Sequence, residues 1–244
     1  MRALLRWLLL VLVAAAALQL FFLARIAMAA AIDPESTTFQ RSEAWRIASE
    51  KGRLPWRQQW VPYASVSDNL KRAVIASEDD GFTGHDGVDW EAIEKAWERN
   101  AKAEAQAAKR ASRPNAAPAR APKIVGGSTI TQQLAKNLLL SGERTLLRKG
   151  QEFVLAFALE RMLSKRRILE IYLNSVEWGE GVFGAEAAAQ HYFRKPAARL
   201  SAYEAARLAV MLPRPKYFEK VPNSGYLASR ASTIVARMAS AQLP

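Results

Sequence analysis

The sequence predicts a mainly α-helical protein with one membrane-spanning helix at its front, and three observations predict it. Residues 7–23, WLLLVLVAAAALQLFFL, carry no charge. Beyond residue 65 almost every apolar pattern repeats at three and four residues, and no stretch alternates as a half-buried strand would. Finally, 50% of the 244 residues are apolar, enough for a core serving one domain of about 200 residues.

The front segment, residues 1–32, is long enough to cross a bilayer, because the apolar character resumes after Arg25 and continues to Ile32 and a span needs roughly 20 apolar residues. A cleaved signal peptide is the alternative, since Ala27-Met28-Ala29 and Ala29-Ala30-Ala31 are small-residue cleavage patterns. The uncharged run ahead of Arg25 already exceeds the roughly 7–15 residues of a signal-peptide core, so an uncleaved anchor is the reading adopted. Arg2 and Arg6 precede the span and place the rest of the chain on the far side of the membrane, although Arg41 and Arg46 soften that asymmetry. Residues 33–65 form a membrane-proximal segment in which Trp45, Trp56, Trp60 and Tyr63 suit either an interface or aromatic core packing.

Residues 66–244 make the main domain. Leu70, Val74 and Ile75 share one helical face that leads into Glu78. Asp89 caps a segment in which Trp90, Ile93 and Trp97 recur at helical spacing. Residues 99–123 hold seven Lys or Arg against the single acid Glu104, and Pro114, Pro118 and Pro122 interrupt them, which predicts a basic mobile loop whose first half can extend a helix. Thr129 to Leu140 reads as a helix, and residues 144–174 as one long helix or a bent pair. Gly179, Gly181 and Gly184 break the periodicity. Ser201 and Glu204 then form a capping box before AARLAVML, closed by Pro213.

A net charge of +12 points to polyanionic partners, and the anchor makes lipid head groups or a phosphorylated substrate the first expectations. The absence of cysteine excludes a disulfide scaffold, thiolate metal sites and a cysteine nucleophile.

Three stretches could carry chemistry. Glu78, Asp79 and Asp80 follow an apolar helix and precede a turn with Gly81, Gly84 and Gly87; partial burial there would raise a carboxylate toward the range of a useful base, while the bland reading is a solvated turn. His85 either holds a neighbouring carboxylate or satisfies the backbone. In GGSTITQQLAK, residues 126–136, glycines precede a helix start that Ser128 or Thr129 caps and whose amides attract anions, with Gln132 and Lys136 on one face and Gln133 beside them. The pattern is not a phosphate-binding P-loop. Arg144, Arg148 and Glu152 recur at spacings of four, either an exposed ion-pair ladder or a pyrophosphate clamp with an acid beside it. Lys165, Arg166, Arg167 and Glu170 admit the same two readings.

In this order, the segments resemble the peptidoglycan glycosyltransferases of glycosyltransferase family 51, in particular the monofunctional membrane-anchored biosynthetic transglycosylases. EDxxFxxHxG is matched by Glu78, Asp79, Phe82, His85 and Gly87; GGSTITQQ by residues 126–133; RKxxE by Arg148, Lys149 and Glu152; and KxxILExYLN by Lys165 to Asn174. A further pattern, GxxGAxxAAxxYF, resembles Gly181 to Phe193.

The resemblance implies a lysozyme-like helical domain, outside the cytoplasmic membrane, that polymerises lipid II into β-1,4-linked glycan with inversion and release of undecaprenyl pyrophosphate. It implies that Glu78 is the general base and Glu152 the second essential carboxylate. Asp79, Phe82, His85, Ser128, Gln132, Gln133, Lys136, Arg144, Arg148 and Lys149 would bind substrate. A divalent cation, Mg2+ or Mn2+, at the pyrophosphate is the one cofactor anticipated. Partners are lipid II, the growing lipid-linked glycan, the membrane and other cell-wall or division proteins, and not nucleic acid. No transpeptidase half is expected, because Ser67-Asp68-Asn69 stands without SxxK or KTG. The rival readings are a peptidoglycan-cleaving muramidase or lytic transglycosylase, and a non-catalytic, basic, membrane-tethered binding protein.

Overall fold

A computed structural model describes residues 1–111, 126–143 and 145–244. It opens with α1 (Arg2–Ala31), 30 residues or about 45 Å at the helical rise. Only 6% of its most apolar stretch is buried, so α1 is not a core helix. Its C-terminal part docks on the domain, burying Phe22, Ile26 and Ala29 and exchanging two hydrogen bonds between Gln19 and Gln151, at 3.0 and 2.9 Å. Arg167 fixes that end: its guanidinium donates to the Ala29 and Ile32 carbonyls at 2.8 and 3.1 Å and pairs with Asp33 at 2.7 Å. A cation on the unsatisfied carbonyls of a helix C-terminus also opposes the helix dipole favourably.

The membrane-proximal segment folds into α2 (Thr38–Lys51), started by a capping box between Thr37 and Gln40 and stopped by Gly52 in the left-handed region. Three of its aromatics pack inward. Trp56 stacks on Phe183 with centroids 4.5 Å apart, Tyr63 is buried and Trp60 lies against the core, whereas Trp45 is 77% exposed.

The main domain contains α3 (Asp68–Glu78), α4 (Trp90–Ala111), α5 (Ile130–Leu139), α6 (Leu146–Met162), α7 (Lys165–Ser175), α8 (Ala185–Phe193), α9 (Ala202–Met211), α10 (Pro215–Lys220) and α11 (Gly225–Arg237). Leu70, Val74 and Ile75 pack α3 against α9, which packs in turn on α11; α5 lies on α6 and α7. The stretch expected as one long helix or a bent pair is, over its described residues, the pair α6 and α7, with Ser164 capping the second helix.

Two expectations need correction. A small sheet exists: β1 (Arg57–Gln58) pairs parallel with β3 (Val182–Phe183), which pairs antiparallel with β2 (Glu177–Gly179). Strands of two and three residues are too short to show alternation. Gly181 makes the sheet possible, since its φ is +74° and a Cβ there would sit 1.9 Å from the Pro55 carbonyl oxygen. The basic segment is also less of a loop than expected. Residues 99–111 continue α4, while 112–123 lie outside the described residues. On α4 the tryptophan stripe faces out, Trp90 and Trp97 being exposed, and the small residue Ala96 is buried instead.

Candidate active site

Glu78 ends α3, where Ser67 caps the start and Asp79 takes a non-helical conformation at the end. Its carboxylate is half-buried. Gln133 Nε2 donates to Glu78 Oε2 at 3.0 Å, and Ser77 Oγ lies 3.4 Å from Oε1. Burial, the largest influence, holds the Glu78 carboxyl above the usual carboxylate range; the charge of Asp79 pushes the same way, and the bonds from Gln133 and Ser77 oppose it. Glu78 is therefore in the environment a base requires.

Its acidic neighbours have different work. Asp79 is buried, with Oδ2 accepting from the Ile130 amide at 2.9 Å and Oδ1 bonded to His85 Nε2 at 2.9 Å. The Gly87 amide donates to His85 Nδ1 at 3.2 Å, which assigns the ring proton to Nε2 and makes His85 the donor to Asp79. Asp79 thus sits at the positive end of α5 and couples the turn to it. Phe82 is fully buried under the turn, with Lys165 Nζ 4.6 Å from its ring centre. Phe82 and His85, expected to bind substrate, are here engaged in shaping the turn, Phe82 by burial and His85 through Asp79 and the Gly87 amide. Asp80 is exposed and pairs with Arg237 at 3.0 Å.

The glycine-rich start of α5 lies close to α4, because a Cβ on Gly127 would stand 3.1 Å from the Ala92 carbonyl oxygen. Thr129, not Ser128, caps the helix, in a reciprocal box with Gln132. Gln132 is consequently buried and serves the backbone rather than lining the donor side, although its Nε2 has no partner. Gln133 serves Glu78: Tyr172 Oη donates to Gln133 Oε1 at 2.9 Å, which turns the amide NH2 toward the carboxylate.

On α6, capped by Thr145, Arg148 reaches Glu152 at 2.9 Å and Lys149 Nζ pairs with the other oxygen. Glu152 is only 3% exposed. The exposed-ladder reading is thereby excluded, since a buried carboxylate requires such partners. Lys149 also donates to Ser128 Oγ at 3.3 Å, and Arg148 Nε has no partner. Arg144 lies outside the described residues. Lys136 is exposed and lines a cavity of about 310 Å3 with Arg148, Asn137 and Phe39.

A second cavity, also about 310 Å3, is lined by Glu78, Asp79 and Ser128 together with Asp89, Lys95 and Arg99 of α4. Ser128 is the shared residue: it faces the Glu78 cavity and is held by the lysine of the Glu152 cluster. Lys95 and Arg99 were not singled out in the sequence, Lys95 lying in the helical segment after Asp89 and Arg99 opening the stretch read as a basic loop; their spacing of four, on the helix that Asp89 caps with a bond to the Ala92 amide at 2.8 Å, was the available signal. The 165–170 stretch resolves as structural, with Lys165 bound to Glu160 at 2.8 Å and Glu170 accepting from the Tyr63 amide at 3.1 Å.

A sequence profile described as Transglycosylase matches residues 47–239. The chain belongs to the transglycosylase family. Among its relatives it is 54% identical to a protein of Burkholderia thailandensis over 228 residues, 93% of this chain and 82% of that one. It is 48% identical to a protein of Herminiimonas arsenicoxydans over 245 residues, 100% of this chain and 99% of that one. Both relatives are named biosynthetic peptidoglycan transglycosylase. In this transglycosylase several motif residues stand at helix ends: Glu78 closes α3, Ser128 precedes α5, and Arg148 and Lys149 lie in the first turns of α6.

Proposed function

We propose that this peptidoglycan glycosyltransferase joins lipid II units by a general-base, inverting displacement in which Glu78 takes the proton. The acceptor sugar's 4-hydroxyl loses its hydrogen to Glu78 as its oxygen bonds to the anomeric carbon of the lipid-linked chain. The anomeric carbon–oxygen bond on the opposite face breaks, and undecaprenyl pyrophosphate leaves with the electron pair. A positioned base supplies about 10²- to 10⁴-fold. Charge developing on the pyrophosphate meets Lys136 and Arg148, with Lys149 beside them and Glu152 keeping both α6 cations in place. The supporting observation is a half-buried carboxylate with an elevated pKa in a cavity that reaches, through Ser128, the cation cluster.

The donor-side residues do not fit a protein-held Mg2+ or Mn2+. Glu152 is already engaged by two cations, and the described residues contain no cluster of three potential metal ligands. No step here passes through a metal.

The anchor reading rests on α1, which is long and apolar enough to span and is locked to the domain by Arg167. The proposed location is the bacterial inner membrane, N-terminus inside and catalytic domain periplasmic, where other cell-wall enzymes are proposed partners. The decisive experiment is lipid II polymerisation by Glu78→Gln: a fall of about 10²- to 10⁴-fold with unchanged helical content is expected. Wild-type rates in that variant, or shortening of preformed glycan by the native enzyme, would overturn the assignment.

A further inference from the structure

We propose that the cavity between the end of α1 and the start of α2 binds the headgroup of an anionic bilayer phospholipid such as phosphatidylglycerol. The cavity measures about 480 Å3; Phe21, Met28, Ile32 and Leu138 supply apolar walls, and Arg25 and Arg41 supply positive charge. Neither arginine pairs with a carboxylate among the described residues. Arg25 lies 6.0 Å from the Phe21 ring centre, and Arg41 donates to the Ser36 carbonyl, Ser36 Oγ and Thr38 Oγ1, each at 3.1 Å. The two guanidinium groups act on each other as like charges. Asp33 and Glu35 are on the same rim, but Asp33 is committed to Arg167, which leaves one exposed carboxylate against two cations. Two guanidinium groups against one exposed carboxylate leave a net positive charge at the cavity, and planar arginine suits phosphate oxygens.

Depth selects a membrane lipid over a free anion. Arg25 stands about 35 Å along α1 from Arg2, just beyond the roughly 30 Å hydrocarbon core, at the level of phosphate groups. The apolar walls would take the upper acyl chain, and long arginine stems reach from such a surface to the headgroup. The substrate's own diphosphate has separate cations, Lys136 and Arg148, in another cavity. The inference rests on α1 crossing the bilayer and is independent of the role of Glu78.

The test is native mass spectrometry of the full chain released from neutral micelles doped with phosphatidylglycerol or phosphatidylcholine. Wild type is expected to retain phosphatidylglycerol preferentially, and the Arg25→Gln/Arg41→Gln double variant about tenfold less. A Lys/Lys double variant, which keeps both charges, is expected to retain more lipid than the Gln pair and serves as the measurement if the Gln pair does not fold. Equal retention by wild type and Gln variant, no gain with lysine, or no preference over phosphatidylcholine would overturn the site. So would displacement by millimolar inorganic phosphate, meaning a free-anion site, or by equimolar undecaprenyl pyrophosphate, meaning an extension of the donor site.

Discussion

Tyr172 is linked to the proposed base, Glu78, through Gln133. Burial holds its phenol protonated, well above the usual tyrosine value, so the hydroxyl is a permanent donor to Gln133, and Gln133 in turn donates to Glu78. Without that donor the Gln133 amide can turn its oxygen toward the carboxylate, removing a bond that favours the charged form. Tyr172→Phe is therefore expected to raise the midpoint of the acidic limb of the pH–rate profile by about half a unit to one unit, with KM for lipid II little changed. An unmoved midpoint would show that Tyr172 only packs. The sign follows from the base being active when ionised: activity rises with pH through the Glu78 pKa, and a higher pKa displaces that rise upward. Sequence spacing placed Gln132 and Gln133 side by side, but it could not tell which amide caps the helix and which serves the carboxylate, because that depends on which neighbour offers an unpaired group in three dimensions.

At the level of elements, α6 carries two faces with different uses. One presents Arg148 and Lys149 to buried Glu152, and the other leaves Leu146, Leu147, Val154 and Phe157 exposed beside the anchor. Removing Arg148 alone leaves Glu152 with one partner; loss of a buried pair costs about 3–5 kcal/mol at most, and less here because Lys149 remains. Arg148→Ala should lower both the melting temperature and turnover, whereas Arg148→Ala/Glu152→Gln should recover stability but not turnover, a split that thermal melts and polymerisation rates would read. Recovery of both would mean that the cation serves only Glu152. The helices themselves were legible because caps and periodicity are local: Thr129, Ser164 and Ser201 each begin the helix their spacing predicts. The sheet was not, since two-residue strands 120 and more positions apart are specified by Gly181 fitting under Pro55 and not by any local pattern.

Across the whole molecule, a charge network ties the membrane-proximal segment to the domain. Lys216 pairs with Glu43 and lies 3.5 Å from Glu177, and Arg46 links Glu43 to Glu180. Burial, the main cause, pushes Glu177 up to about 7, and one of its oxygens has no hydrogen-bond partner. Because the folded pKa lies above the unfolded one, the folded state holds the proton longer: stability falls as pH rises from about 4.5 to about 7 and stays reduced above that. Glu177→Gln is thus expected to raise the melting temperature at pH 8, by up to about 3 kcal/mol of stability before the lost attraction to Lys216 is counted, with little gain at pH 4; equal effects at both would refute it. The clasp of Arg167 on the final carbonyls of α1 has a mechanical consequence. In the proposed membrane-anchored enzyme it would make α1 a stiff stalk that holds Glu78 at one height above the lipid surface, a height that lipid-linked sugars would reach by lateral diffusion.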